Sequence, residues 1–226
     1  LRWHIENSND LNKYQYLPGD LYTAMKEDYP RRKPLVPPEI PIELNIGKVA
    51  HRFQPETEDY PLVQIGPGII THNVIDRLYY WNEFSKSSMS IIEAFDSIFP
   101  LDKLKKVQPN LVYIDFFDVD VKSIDITNFI SKNFKLNVNN ISDSFETIPG
   151  SLDMNLVYPH KLGNVVFKLS TGNWNKKPGL IMQTRVVGLK DFNSKEELHA
   201  WLEESYSFCS DFFKEITSKE LYKSFN

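Results

Sequence analysis

The chain of 226 residues is 41% hydrophobic and 25% charged, the composition of an ordinary globular protein. Its formal net charge of −4 offers no general attraction to nucleic acid or anionic lipid. A single cysteine, Cys209, excludes an intrachain disulfide and a cysteine-built metal cluster. No apolar run approaches the roughly 20 residues that span a bilayer, and the opening "LRWHIENSND" has none of the character of a signal peptide. These readings place the chain in the cytoplasm, without a membrane partner. No initiator methionine leads it, so a few preceding residues are expected. Asn140-Ile141-Ser142 would be a glycosylation acceptor only in a secretory setting.

Leu1, Trp3 and Ile5 alternate with polar neighbours, the period of a half-buried strand. After a polar stretch, Asp20 can cap a short helix whose face carries Leu21, Met25 and Tyr29, ended by Pro30. Residues 30–41, dense in proline, read as an extended crossover. Strands are predicted over 42–53, 61–65 and 69–75. The stretch "LVQIGPGIITHN" (62–73) poses the question of a phosphate-cradling loop. Such a loop needs a helix N-terminus after its glycines, whereas a β-like run follows Gly68, so Gly66-Pro67-Gly68 is read as a hairpin turn. Residues 81–99 show apolar spacings of three and four from Trp81 to Phe99, an amphipathic helix closed by Pro100.

Residues 110–118 are apolar on both faces and predict an interior strand. A short helix over 125–132 and a surface loop through "NVNNISDSFETIPGS" follow. Three strands, 151–158, 164–171 and 180–187, alternate strictly. A tight turn at Lys161-Leu162-Gly163 would set Leu156 opposite Phe167 and Asn155 opposite Lys168. Ser194 and Glu197 form a capping-box pair opening a long final helix with Leu198, Trp201, Cys209, Phe212 and Ile216 along one side. Cys209 is read there as a buried small hydrophobe. The fold class that results is α+β: two β-α-β-β-β-α units, 1–99 and 100–226, from an internal duplication. Each carries a largely antiparallel sheet with a long helix on one face, the two fused into one globular unit.

For chemistry, Asp118, Asp120 and Lys122 end a strand in the Asp-x-Lys spacing with which metal-dependent nucleases hold a divalent cation and polarise water; Glu93, Asp96 or Asp102 would supply the upstream acid. The histidines show no i, i+4 pairing and no fixed spacing to a carboxylate; His4, His51 and His72 are the one conceivable cross-sheet trio. Ser142, Ser144 and Thr147 lack a nucleophile-elbow context. Asp153, Asn155, Lys168, Ser170, Gln183 and Arg185 share the outer face of the second meander. That face suits a small ligand or a partner chain, with Arg185 able to fork onto a carboxylate or phosphate. Basic clusters at 31–33, 103–106 and 176–177 read as solvated faces.

"YP" (29–30), "QIGPGIITHN" (64–73), "YYWNEF" (79–84), "LVYIDFF" (111–117) and the terminal "LHAWLEESYSFCSDFFKEITSKELYKSF" (198–225) together resemble a sporadically distributed family of uncharacterised prokaryotic proteins of about this length. The resemblance spans nearly the whole chain, through turn glycines and strand and helix aromatics. It implies a fold and an accessory setting such as conflict or defence, and brings no catalytic residues. The reading that results is a cytoplasmic, non-catalytic binding module for another protein, with no cofactor and no metal. A metal-dependent nuclease or phosphodiesterase at Asp118, Asp120 and Lys122, and a small-ligand sensor on the Lys168/Arg185 face, are the alternatives.

Overall fold

A computed structural model describes residues 1–121, 123–136 and 149–223. The chain groups into two compact units: Leu1–Asn110 with Gly188–Glu203, and Leu111–Val187 with Glu204–Asn226. The division falls after residue 110 instead of 99, and 188–203 returns to the first unit. The fold is α+β with antiparallel sheets, as the alternating patterns require.

In unit 1 the sheet is built from β1 (Arg2–His4), β2 (Arg31–Pro34), β3 (His51–Gln54), β4 (Leu62–Gly66), β5 (Ile69–Asn73) and β6 (Lys105–Gln108), in the order β2-β3-β4-β5-β1-β6. Its main helices are α1 (Ser8–Met25) and α2 (Trp81–Ile98). Phe53, Val63 and His72 lie in one row across β3, β4 and β5. Tyr22 of α1 stacks on Phe53, and Phe84 of α2 stacks on His72, so both helices cover the same sheet face. Trp3 packs on Phe95 and Phe99 of that layer, with ring centroids 5.1 and 6.1 Å away.

Three expectations for this unit are corrected. Helix α1 starts at Ser8, not Asp20: the Asn7 side chain accepts from Asn9 N–H and Asp10 N–H, at 2.9 and 3.2 Å. Pro18 and Gly19 lie inside the helix, not ahead of it. Burial of Leu11, Tyr14, Leu17, Leu21 and Met25 on one face outweighs the loss of Pro18's donor. The proline-rich crossover contains β2, an edge strand, where a proline costs no ladder bond on its solvent side. The predicted strand 42–53 is instead a 3-10 turn, Ile42–Asn45, followed by β3.

The hairpin at Gly66-Pro67-Gly68 is as expected. Gly68 has φ +79°, which a side chain rarely adopts, and Trp3 N–H donates to its carbonyl at 3.1 Å. Gly66 is present for space: a Cβ there would lie 1.8 Å from the Lys48 carbonyl oxygen. The free edge of β6 is closed by Asp191, whose carboxylate accepts from Val107 N–H at 2.7 Å and Lys106 N–H at 3.1 Å.

Unit 2 contains β7 (Asn110–Phe117), α3 (Ile126–Asn133), β8 (Asp153–His160), β9 (Gly163–Trp174), β10 (Lys177–Val187) and α5 (Lys219–Lys223), with sheet order β7-β10-β9-β8. Helix α4 (Lys195–Ile216) begins in unit 1 and belongs to unit 2 from Glu204 onward. The register matches the expected one: Leu156 pairs with Phe167 and Asn155 with Lys168. Phe167, Leu169, Leu180 and Met182 are buried with Phe117, Ile126, Ile130 and Ile216. Phe212 of α4 meets Phe167 edge-on at 5.7 Å, which places α4 on this inner face. Ser194 Oγ accepts from Glu197 N–H at 3.2 Å, as an N-cap does, while the Glu197 carboxylate reaches back to accept from Asn193 N–H, one residue ahead of the cap. Cys209 is buried, and burial pushes its thiol up to about 12. Strand β7 is not interior: it forms a sheet edge, with Ile114 66% exposed.

Strand for strand the two sheets correspond. In each, a three-strand meander (β3-β4-β5, β8-β9-β10) has the opening strand (β1, β7) beside its last strand. Strands β2 and β6 of unit 1 have no counterpart in the unit 2 sheet.

Two consequences can be measured. Gly66→Ala drives a methyl group into backbone, so it should cost more than about 3 kcal/mol in urea unfolding; a loss below 1 would show that the close approach relaxes. Burial holds the His72 imidazole down, to about 4 from 6.5. Its Nδ1 contacts Ser88 Oγ at 2.8 Å, and its Nε2 is buried without a partner, so a second proton would add an unmet donor. The unfolded chain takes up that proton near pH 6.5 and the folded chain only near 4. Stability is therefore complete above pH 6.5 and falls as pH drops toward 4, by up to about 3 kcal/mol from this group. His72→Phe should flatten that part of the urea-midpoint profile.

Candidate functional site

Among the described residues, a polar constellation lies where α2 faces the first turns of α4, within unit 1. Trp81 and Ser85 stand one turn apart on α2, and His199 and Glu203 one turn apart on α4. Trp81, Ser85 and His199 converge on the Glu203 carboxylate. Ser85 Oγ donates to Glu203 Oε1 at 2.6 Å, and Trp81 Nε1 donates to Oε2 at 3.0 Å. His199 Nε2 lies 3.5 Å from Oε1. Ser85 is buried, so its hydroxyl depends on this bond for satisfaction. Beside the group opens a cleft of about 630 Å³, lined by Asn82, Lys86, Met89 and Glu93 of α2 and by His199 and Glu203 of α4.

The order of the groups decides what they can do. A nucleophilic serine needs an imidazole between hydroxyl and carboxylate, to take the proton and be held in turn. Here the carboxylate stands between serine and imidazole, so the array is not that relay. It is a fixed anion with both oxygens bonded, tying two helices together at the mouth of a cleft. Sequence reasoning missed it, although the four-residue spacing of His199 and Glu203 on one helix was available as a signal. The contact to Ser85 is 118 positions distant and had none.

The residues expected to form a polar sheet face do meet on one surface of unit 2. Asn155, Lys168 and Gln183 form a continuous row across β8, β9 and β10. Asp153 lies opposite Ser170, and its carboxylate is 3.2 Å from the Lys168 ammonium. Arg185 occupies the next row, opposite Val166 and Val157. The face is not uniformly polar. Because Phe117 joins the inner core, Val112, Ile114 and Phe116 of β7 fall on the outer side. Val112, Ile114 and Val157 are 42%, 66% and 53% exposed. The register pair Gly172 and Gly179 leaves room for Ile181 and Phe116, whose side chains lie over them.

The strand-end acids are placed differently. Asp118 and Asp120 are exposed in unit 2, and the Asp118 carboxylate pairs with Lys177 at 3.1 Å. Lys122 lies outside the described residues, as do Ser142, Ser144 and Thr147. The candidate upstream acids Glu93, Asp96 and Asp102 belong to unit 1. Among the described residues no three His, Cys, Asp or Glu side chains are grouped to hold a metal ion. His51 and His72 are not cross-strand neighbours: β4 separates them, with Ile65 opposite His51 and Val63 opposite His72. Among the described residues, no helix is long and apolar enough to cross a membrane.

Comparison with protein families, with curated proteins and with solved structures finds no match to this chain.

The Glu203 junction can be tested by a double-mutant cycle. Ser85→Ala and Glu203→Ala should each destabilise unit 1, with a coupling near 1 kcal/mol, kept modest by the partial exposure of the carboxylate. Strict additivity in urea unfolding would show that the bond contributes nothing.

Proposed function

We propose that the protein is a non-catalytic binding module whose docking surface for another protein is the open face of the unit 2 sheet. The observation that carries this reading is the exposure of Val112, Ile114 and Val157 on the same face as the Asn155–Lys168–Gln183 row. Single exposed apolar residues are common on any surface. Two exposed β-branched residues at alternate positions of an edge strand, with a third on the opposite edge, frame a polar centre instead. This is the layout of apolar anchors and hydrogen-bonding groups that protein interfaces use.

The chemistry of the face also favours a partner chain over a small metabolite. It is a broad sheet surface, while small-molecule sites are concave. Asp153 partly neutralises Lys168, which leaves hydrogen bonding and apolar contact as the main terms. The resemblance to a sporadically distributed prokaryotic family would make that partner a component of a conflict or defence system in the cytoplasm.

The test compares wild type with an Ile114→Lys, Val157→Lys double variant, in affinity capture from the source cells followed by measurement of the purified pair. Both positions are exposed, so the fold should survive, and a stoichiometric partner of the wild type should be lost by at least about tenfold in Kd. A partner held equally by both proteins would place the docking surface elsewhere.

A further inference from the structure

The cleft beside Glu203 lies within unit 1. Its charges are not resolved internally. Glu93 is answered by Lys195, with Nζ 3.7 Å from Oε1. Lys86 makes no ion pair and no hydrogen bond with its side chain among the described residues. Glu203 is oriented by neutral donors, Trp81 Nε1 and the buried Ser85 hydroxyl, which hold the carboxylate without cancelling its charge. His199 balances it only when protonated. One cleft therefore holds a cation on one helix and an anion on the facing helix that do not neutralise each other.

Each alternative ligand class meets a repulsion. A simple cation drawn to Glu203 enters beside Lys86, and a simple anion drawn to Lys86 enters beside Glu203. A carboxylate offers about four acceptor positions; the two short bonds leave room for an ammonium N–H on Glu203. Lys86 retains its ammonium donors for a carboxylate. Met89 adds an apolar side chain to the lining and Asn82 a neutral amide. The cleft is open to solvent, and its volume of about 630 Å³ falls within the range of small-ligand sites.

We propose that this cleft holds a small zwitterion of the free amino-acid or dipeptide class, with its ammonium on Glu203 and its carboxylate on Lys86. Pre-orientation of Glu203 by Trp81 and Ser85 reduces the ordering cost of the ammonium contact. Lys86 is a flexible point charge, so it sets the sign of the recognised group and not its exact position.

Calorimetric titration of the full chain with glycyl-leucine tests this, with N-acetyl-glycyl-leucine and glycyl-leucine amide as probes that each lack one charge. Binding of the free dipeptide at submillimolar Kd is expected, weakened at least about tenfold for either blocked form. Glu203→Gln, which keeps an oxygen for Ser85, should abolish the penalty for N-acetylation. Lys86→Met, on an exposed side chain that leaves the fold intact, should abolish the penalty for amidation. Absence of dipeptide binding would overturn the proposal. So would equal binding of the amide, which would mark a cation site, or titrations unchanged in both variants.

Discussion

The pairing of Leu156 with Phe167, and of Phe167 with Thr184 on the next strand, decides what unit 2 buries and what it displays. Side chains alternate along a strand, so this register sends Leu169, Leu180 and Met182 under the helices and leaves Asn155, Lys168 and Gln183 outside. A slip by one residue would expose the core and bury a lysine. Phe212 of α4 and Ile126 and Ile130 of α3 hold the inner side, and the burial they share makes the slip prohibitive. The outer face inherits its chemistry from that choice.

Unit 1 uses the same scheme with different fastening. Its meander is covered by α1 and α2, and β1 is attached beside β5 through Trp3, whose ring packs with Phe95 and Phe99. The glycines of the tight turn serve that attachment: Gly68 accepts the Trp3 backbone and Gly66 lets Lys48 pass. Glu203 fastens the start of α4 to α2 by two hydrogen bonds. A fastening made from a charged group necessarily leaves a fixed anion at the surface, and here it stands over a cleft. Structural support and the negative charge at the cleft come from the same carboxylate.

Legibility in the sequence followed the range of the interactions. The β8–β9 hairpin was readable to the exact pair because strict alternation and a short turn leave one register that buries every large apolar residue. Helix α1 was read too short because Pro18-Gly19 has the local signature of a break, while the stripe from Leu11 to Met25 is repaid only by contact with a sheet. Strand β7 was read as interior because both of its faces are apolar. Its position at an edge depends on which strand β10 accepts as a neighbour. The polar sheet residues were identified as one face, yet their apolar companions Val112 and Ile114 were not, since β7 lies far from the meander in sequence.

From the sequence alone came the α+β class, the antiparallel meanders, the identity of the hairpin glycines and the capped final helix. Each rests on periodicity or on backbone geometry within a few residues, and such signals survive without a fold. The return of 188–203 to the first unit, the edge position of β7 and the meeting of Trp81, Ser85, His199 and Glu203 were decided only by tertiary structure. These depend on contacts between segments up to 122 positions apart, whose energies arise from burial and desolvation that no local pattern encodes.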